Sequence, residues 1–225
     1  MLNLYMNCPY CNHNISYTLN TTQKKCAKCL RKFSEKKILF EQKIINLFCE
    51  NNTANQCVQN HNLNYVTVKK KYERYRQLIA SYLEELYHNK EVLEYDEYIY
   101  LEKSKKKVKK NIFDAINFMT FNYEDKVYNL LMPNLHRYKN QFLDDGIEES
   151  YFKEFSKFMM MNKISKIQKR ENIITSFWIF FEESIVKYKG INKENFFYYL
   201  KEIEFKFNYS VKEQEKILFK MAGYK

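Results

Sequence analysis

Four cysteines in two pairs, Cys8-x-x-Cys11 and Cys26-x-x-Cys29, are the residues of this 225-residue chain whose types and spacing specify chemistry most directly. A two-residue gap lets both thiols of a pair point off one tight turn, and two such turns can close a tetrahedral four-sulfur site around Zn²⁺. Four thiolates leave no coordination position for water or substrate, so the expected role of the metal is structural. A segment this short cannot build a core of its own, and zinc binding, worth about 10–16 kcal/mol, would supply its folding free energy. Disulfides are not expected, because the chain opens without a charged segment, an apolar stretch and a small-residue cleavage site. The same reading makes the cytoplasm the expected compartment. Cys49 and Cys57 lack ligand spacing and are expected to be ordinary buried thiols.

The elements that must hold these groups follow from local pattern. Residues 14–19 read as a strand and Asn20-Thr21-Thr22 as a turn, with 28–33 as the return of a second knuckle, so residues 1–34 form a zinc ribbon. Residues 35–50 carry Ile38, Leu39, Ile44, Ile45, Leu47 and Phe48 at helical spacing. Asn51-Asn52-Thr53 offers a stop and a fresh N-cap, and 53–61 reads as a short helix with Ala54, Cys57 and Val58 inward. After the turn at 62–64 a longer helix, 65–86, carries Val66, Val68, Tyr72, Tyr75, Leu78, Ile79 and Leu83. Helix, short turn and basic second helix is the helix-turn-helix pattern, which we assign to residues 35–90. In that pattern Asn64, Tyr65, Thr67 and Val68 would face base edges. Lys69, Lys70, Lys71, Arg74 and Arg76 would meet phosphates, which position a protein without specifying sequence.

Charge placement agrees. Residues 1–80 carry 13 Lys/Arg against 4 Asp/Glu, whereas the remaining residues carry 25 against 23, so +9 of the net +11 belongs to the N-terminal third. That asymmetry suits a module that neutralises the phosphates of double-stranded DNA, with affinity falling as salt rises. No apolar run approaches the length of a membrane span, and no membrane partner is expected.

Beyond residue 90 the pattern changes to β-formers. Residues 92–101, 112–121 and 126–132 read as three consecutive strands, with 122–125 as a turn and Pro133-Asn134 as a stop. Helices follow. One begins near Ile147. Another carries Ile173, Ile174, Phe177, Trp178, Phe181 and Ile185 and ends before Gly190, and a last pair spans 193–207 and 210–221. Strands followed by helices indicate an α+β or α/β domain over 91–225, giving an α+β multidomain chain overall.

The order of parts, together with particular wording, resembles the zinc-ribbon insertion-sequence transposases with a DDE-type, RNase H-like catalytic domain. The similarity is carried by Asn172-Ile173-Ile174-Thr175-Ser176-Phe177-Trp178, by Lys187-Tyr188-Lys189-Gly190-Ile191, and by the stretch from Tyr199-Leu200 through Glu202-Ile203-Glu204-Phe205 to Asn208. These resemble the family's Asn-x-Ile-Glu-x-Phe-Trp helix, Lys-Tyr-x-Gly bend and Tyr-Leu-x-Glu-x-Glu-Phe stretch.

The resemblance implies an RNase H-like α/β domain with a helical C-terminal tract, and two Mg²⁺ or Mn²⁺ ions held by carboxylates for in-line phosphodiester cleavage and strand transfer. By position the first carboxylate is Asp96. Asp144 or Asp145 stands nearest to the second, although the family's fourth strand and its tryptophan are not evident. The third position holds Thr175, not Glu, with Glu171 and Asn172 as the available stand-ins. The lysine-rich run 103–110, with Lys105, Lys106 and Lys107 at its centre, would hold the DNA backbone beside Asp96. Three functional expectations stay open. One is a transposase-like, nucleoid-associated protein that recognises element ends, self-associates on DNA and is impaired in catalysis. Another is a non-catalytic DNA-binding regulator or domesticated remnant, and the third is a zinc-ribbon protein-interaction module that binds no DNA.

Overall fold

The computed structural model describes residues 7–87, 92–102, 114–132, 172–188 and 190–225. They contain two small three-stranded antiparallel sheets and six α-helices. The chain divides into two compact units, one of residues 1–85 with 209–225 and one of residues 86–208. The last helix therefore belongs with the N-terminal residues, whereas the sequence boundaries place it in the domain 91–225.

In the first unit, β1 (Ser16–Thr18), β2 (Lys24–Cys26) and β3 (Lys32–Phe33) form a meander with β2 in the centre. The hairpin closes because the Asn20 side-chain oxygen accepts from the backbone N–H groups of Thr22 at 2.9 Å and Gln23 at 2.8 Å, an Asx turn. Helix α1 (Glu35–Cys49) buries Ile38, Glu41, Ile44, Ile45, Leu47 and Phe48, a stripe recurring every three to four residues. Asn51, at φ +64°, turns the chain into α2 (Ala54–His61). A capping box starts α2: Thr53 Oγ1 accepts from Gln56 N–H at 3.3 Å while the Gln56 side chain accepts from Thr53 N–H at 2.8 Å. Left-handed Asn62 ends it, and Asn64 then caps α3 (Tyr65–Tyr87) by accepting from Thr67 N–H at 3.1 Å.

Val68, Tyr72, Tyr75, Ile79 and Leu83 bury the inner stripe of α3. Phe48 of α1 lies edge-on to Tyr72 and Tyr75, with ring centroids 4.9 and 5.6 Å away. Leu39, Val58 and Val66, expected inward from spacing, are 54%, 37% and 56% exposed. A one-residue step along a helix rotates a side chain by about 100°, so Leu39 and Val58 turn outward beside buried Ile38 and Cys57, and Val66, two steps before buried Val68, lies on the opposite side of α3. Cys49 and Cys57 are buried thiols, as expected. The final helix α6 (Val211–Met221) begins at a Ser210–Glu213 capping box and buries Gln214 and Leu218.

The second unit holds β4 (Glu94–Tyr100), β5 (Ile116–Tyr123) and β6 (Lys126–Leu131), paired in sequence order. A two-residue turn, Glu124-Asp125, joins β5 to β6, and Glu124 takes φ +58° there. Helices α4 (Ile173–Ile185) and α5 (Phe196–Asn208) complete its core. Tyr98, Phe118 and Val127 from the sheet pack with Phe177, Trp178, Phe181, Leu200 and Ile203. At the end of α5 the Asn208 amide pairs with both backbone groups of Val127, donating to its carbonyl at 2.7 Å and accepting from its N–H at 2.9 Å. The fourth strand that an RNase H-like sheet needs is not among the described residues. No helix among them is long and apolar enough to cross a membrane.

Candidate metal centre and nucleic-acid face

The four cysteines converge. Their sulfurs all lie within 4.8 Å of one another, and the cross-pairs Cys8–Cys29 and Cys11–Cys26 are each 3.6 Å apart. Four sulfurs at about 2.3 Å from a zinc ion define a tetrahedron with edges of about 3.8 Å, so the donor set has the size and chemistry for Zn²⁺.

Backbone geometry supports the same reading, because the two knuckles repeat one conformation. Cys8 N–H donates to the His13 carbonyl at 2.8 Å and Cys26 N–H to the Arg31 carbonyl at 3.0 Å, each five residues on. Asn12 N–H returns to Cys8 O, and Leu30 N–H to Cys26 O, at 2.8 and 3.2 Å. The residue after each second cysteine, Asn12 or Leu30, is left-handed, at φ +59° and +60°. Lys28 and Cys29 N–H groups point at Cys26 Sγ from 3.4 and 3.5 Å. Burial works to raise the Cys26 thiol, but these donors and the neighbouring cysteines outweigh it and bring it down to about 6. Burial instead pushes the Cys8 thiol up to about 12. A bound zinc would hold all four as thiolates, and its part is to close the fold.

The centre is not a pendant module. Cys8, Cys26 and Phe33 pack with Ile38 of α1 and with Phe219 and Tyr224 beyond them. Tyr224 stacks between Tyr10 and Phe219, at 6.0 and 4.8 Å, and Lys225 N–H donates to the Pro9 carbonyl at 2.6 Å.

Around α3 the expected DNA-contacting residues separate into two groups. Asn64, Tyr65, Thr67, Lys69, Lys70 and Arg74 are exposed. Three others are not available on that face. Val68 is fully buried and Arg76 is 7% exposed, whereas Lys71 pairs with Glu41 of α1. Glu41 itself is buried and also accepts from Tyr75 Oη at 2.7 Å. The sequence reading missed Glu41, although its place three residues after Ile38 and before Ile44 on the apolar stripe was the available signal.

The acidic positions do not assemble among the described residues. Asp144, Asp145, Glu171, Lys105, Lys106 and Lys107 lie outside them. Asp96 is half-buried on β4, where its Oδ1 accepts from Glu97 N–H at 2.9 Å. Asn172 caps α4, its Oδ1 accepting from Thr175 N–H at 2.8 Å and its Nδ2 donating to Glu94 at 3.0 Å, so its amide already serves the protein. Thr175 Oγ1 completes that cap at 3.1 Å from Asn172 N. Besides the four cysteines, no group of three metal-ligating side chains converges among the described residues.

The register instead places Asp96 opposite Thr120, and Thr120 opposite Asn129, at the edge of a buried polar network. Thr120 Oγ1 donates to Asn129 Oδ1 at 2.7 Å and accepts from Trp178 Nε1 at 2.9 Å. Asn129 donates twice to Glu204 Oε2, at 2.9 and 3.0 Å, and the fully buried Lys201 ammonium approaches the same oxygen at 3.3 Å. Burial pushes the Glu204 carboxyl up, against the pull of Lys201 and the Asn129 donors. The network joins the sheet to α4 and α5, and within it the second carboxylate oxygen of Glu204, Oε1, is buried without a hydrogen-bond partner among the described residues.

Site and fold together define a protein of mixed helix and sheet with a four-cysteine centre compatible with zinc. Comparison with known protein families, curated proteins and solved structures gave no match.

Proposed function

We propose that the chain is a zinc-stabilised, double-stranded-DNA-binding protein of transposase type, recognising the ends of an insertion element through α3. One observation carries the reading. The start of α3 presents Asn64, Tyr65, Thr67, Lys69, Lys70 and Arg74 to solvent, while Val68, Tyr72, Tyr75 and Ile79 fix the opposite face in the core. A helix held in that way can lie in a major groove, with Asn64 and Thr67 near base edges and the lysines on phosphates. Identification of element ends as the target rests on the resemblance carried by residues 172–208.

Phosphodiester cleavage would need Mg²⁺ or Mn²⁺ at Asp96 with acids from Asp144, Asp145 or Glu171. The use of Asn172 and Thr175 as a helix cap favours the non-catalytic form, a DNA-binding regulator derived from a transposase. The test is selection of duplex sites from a random pool by the zinc-loaded protein, followed by salt titration. Lys69→Gln and Lys70→Gln should each lower the slope of log K against log salt by about 0.9 without changing the selected sequence. Asn64→Asp, which keeps the oxygen that caps α3 at Thr67 N–H but removes the amide donor, should relax sequence preference. Absence of duplex binding at low salt refutes the proposal. Mn²⁺-dependent cleavage of the selected duplex that Asp96→Ala abolishes would replace the regulator with an enzyme.

A further inference from the structure

The outer face of the ribbon has no assigned role in duplex reading. In β1 the alternation of a strand sends Ser16 and Thr18 one way and Tyr17 the other, and Tyr17 is 62% exposed. Directly opposite it stands Lys25 on β2, and opposite Lys25 stands Lys32 on β3. Tyr17, Lys25 and Lys32 thus form one cross-strand row, an aromatic ring followed by two ammonium groups. The ladder extends past β1 at both ends: Ala27 N–H donates to Ile15 O at 3.0 Å and Leu19 N–H to Gln23 O at 2.9 Å. Period-two spacing therefore adds Ile15 and Leu19, 53% and 45% exposed, to the Tyr17 face.

The opposite face points inward, with Cys26 and Phe33 buried, and its lysine, Lys24, is neutralised by Glu35 at 2.6 Å. Lys25 and Lys32 have no ion pair among the described residues. Residues 1–34 contain Lys24, Lys25, Lys28, Arg31 and Lys32 and no Asp or Glu. Even with the net charge of about −2 of a zinc tetrathiolate, the segment stays positive.

A strand face with a central exposed aromatic ring, apolar flanks and an adjoining basic row, of which Lys25 is half-buried and Lys32 exposed, has the composition of a stacking platform for unpaired bases. A duplex hides the faces of its bases, so this surface suits a single strand better than it suits a groove. We propose that the outer face of the ribbon, centred on Tyr17, Lys25 and Lys32, binds single-stranded DNA, one base stacking on Tyr17 and adjacent phosphates meeting the lysines. The proposal shares with the function above only the premise that the first unit meets DNA.

The test is fluorescence anisotropy of the full zinc-loaded chain with labelled oligo(dT), oligo(rU) and a random duplex. Tyr17→Ala should weaken oligo(dT) binding about 5- to 150-fold, the equivalent of roughly 1–3 kcal/mol of stacking, and leave duplex affinity unchanged. Tyr17→Phe should retain binding, because stacking needs the ring and not the hydroxyl. Lys25→Gln with Lys32→Gln should lower the salt slope for oligo(dT) by about 1.4, close to 0.7 for each single-strand phosphate. Zinc content is measured on each variant, and if Tyr17→Ala loses metal the lysine pair decides by its slope. Unchanged oligo(dT) affinity in Tyr17→Ala with full zinc, an unchanged slope in the lysine pair, or tighter binding of oligo(rU) than oligo(dT) overturns the proposal. Oligo(dT) binding that needs Tyr17, in a chain that does not bind duplex, upholds it while refuting the α3 reading.

Discussion

Glu41→Gln tests how α3 is held and what it presents. Glu41 is 7% exposed and takes two donors, the Tyr75 hydroxyl at 2.7 Å and the Lys71 ammonium. Glutamine keeps the shape but turns an NH₂ toward one of those donors and removes the charge from both bonds. A hydrogen bond to a charged acceptor is worth about 1.5–3 kcal/mol. The ion pair adds no more than about 1 kcal/mol, because the Lys71 side chain is 23% exposed and partly screened. The expected loss is therefore about 1.5–4 kcal/mol, a roughly 10- to 900-fold rise in the opening equilibrium. Hydrogen exchange on the zinc-loaded protein reads it as lost protection in α1 and α3, with α4 and α5 as internal reference. The substitution also frees Lys71, two residues beyond the Lys69 proposed to contact phosphate, so the salt slope for duplex DNA should steepen by about 0.9. Wild-type protection in α1 and α3 would refute the buried carboxylate as the tie between these helices. Lost protection with an unchanged slope would refute the reach of Lys71 to DNA.

Removing zinc with a chelator, or replacing Cys26 by Ala, should abolish exchange protection over residues 8–33 and loosen Tyr224, while the Phe48–Tyr72–Tyr75 cluster keeps α1 and α3 ordered. Metal analysis should find one zinc per chain before treatment, and a protected ribbon after metal loss would contradict the site. Leu30, left-handed at φ +60° and 61% exposed, should accept Asn with a gain and Val with a loss, the two variants differing by about 1–2 kcal/mol in denaturant titration; the reverse order would show that Leu30 packing outweighs its strain. In the second unit, burial and then the Glu182 carboxylate push the Tyr98 phenol above its ordinary value of 10.0. A raised group stabilises fully below its unfolded pKa and loses that contribution as pH climbs toward the folded one. Tyr98→Phe should therefore cost about 1.5–3 kcal/mol at neutral pH, and the gap should narrow by about 1.4 kcal/mol per unit above pH 10. Trp178, with its ring 4.9 Å from that of Tyr98, reports the unfolding by fluorescence, and a gap independent of pH would refute the assignment.

Local signals were legible where local chemistry decides. The cysteine spacing, the Thr53–Gln56 box and the Asn20 turn each act within a few residues, and α1–α3 lie within a residue of their expected bounds, whereas the central ribbon strand Lys24–Cys26 carries no pattern that announces it. The second strand was placed at 112–121 but runs Ile116–Tyr123, because the turn shrinks to Glu124-Asp125 once Tyr123 pairs with Lys126. The helix-turn-helix pattern puts Lys71 and Arg76 on phosphates. Charge alone does not report that Glu41 waits thirty residues upstream, and a basic residue on an inward-turning position of α3 needs the partner helix to be seen. Thr175 was read as a lost ligand. Its backbone setting gives it another purpose, the N3 position of a capping box that Glu could also fill.

The most consequential miss is the final helix, since no local pattern tells α6 to return to residues two hundred positions earlier. Its apolar stripe is short, and Phe219 and Tyr224 find their partners in Tyr10 and the zinc knuckles. The connectivity that follows is an insertion: the chain leaves the first unit after residue 85 and re-enters it at residue 209. The four-cysteine centre lies at one of the contacts that hold the returning helix, through Tyr10 beside Cys11. A zinc ion bound there would stabilise more than a terminal ribbon. It would help to close the unit that carries α3, and the ribbon and α3 belong to one compact unit, not to two modules on a tether. If both surfaces bind DNA as proposed, they do so at a fixed separation, and a strand leaving a duplex on α3 could reach Tyr17 only along a path set by that unit. A substrate with a duplex next to an unpaired tail should then bind the full chain more tightly than either part alone, by an effective-concentration gain that zinc removal abolishes. Equal affinity for joined and separate parts would show that the two faces are not used together.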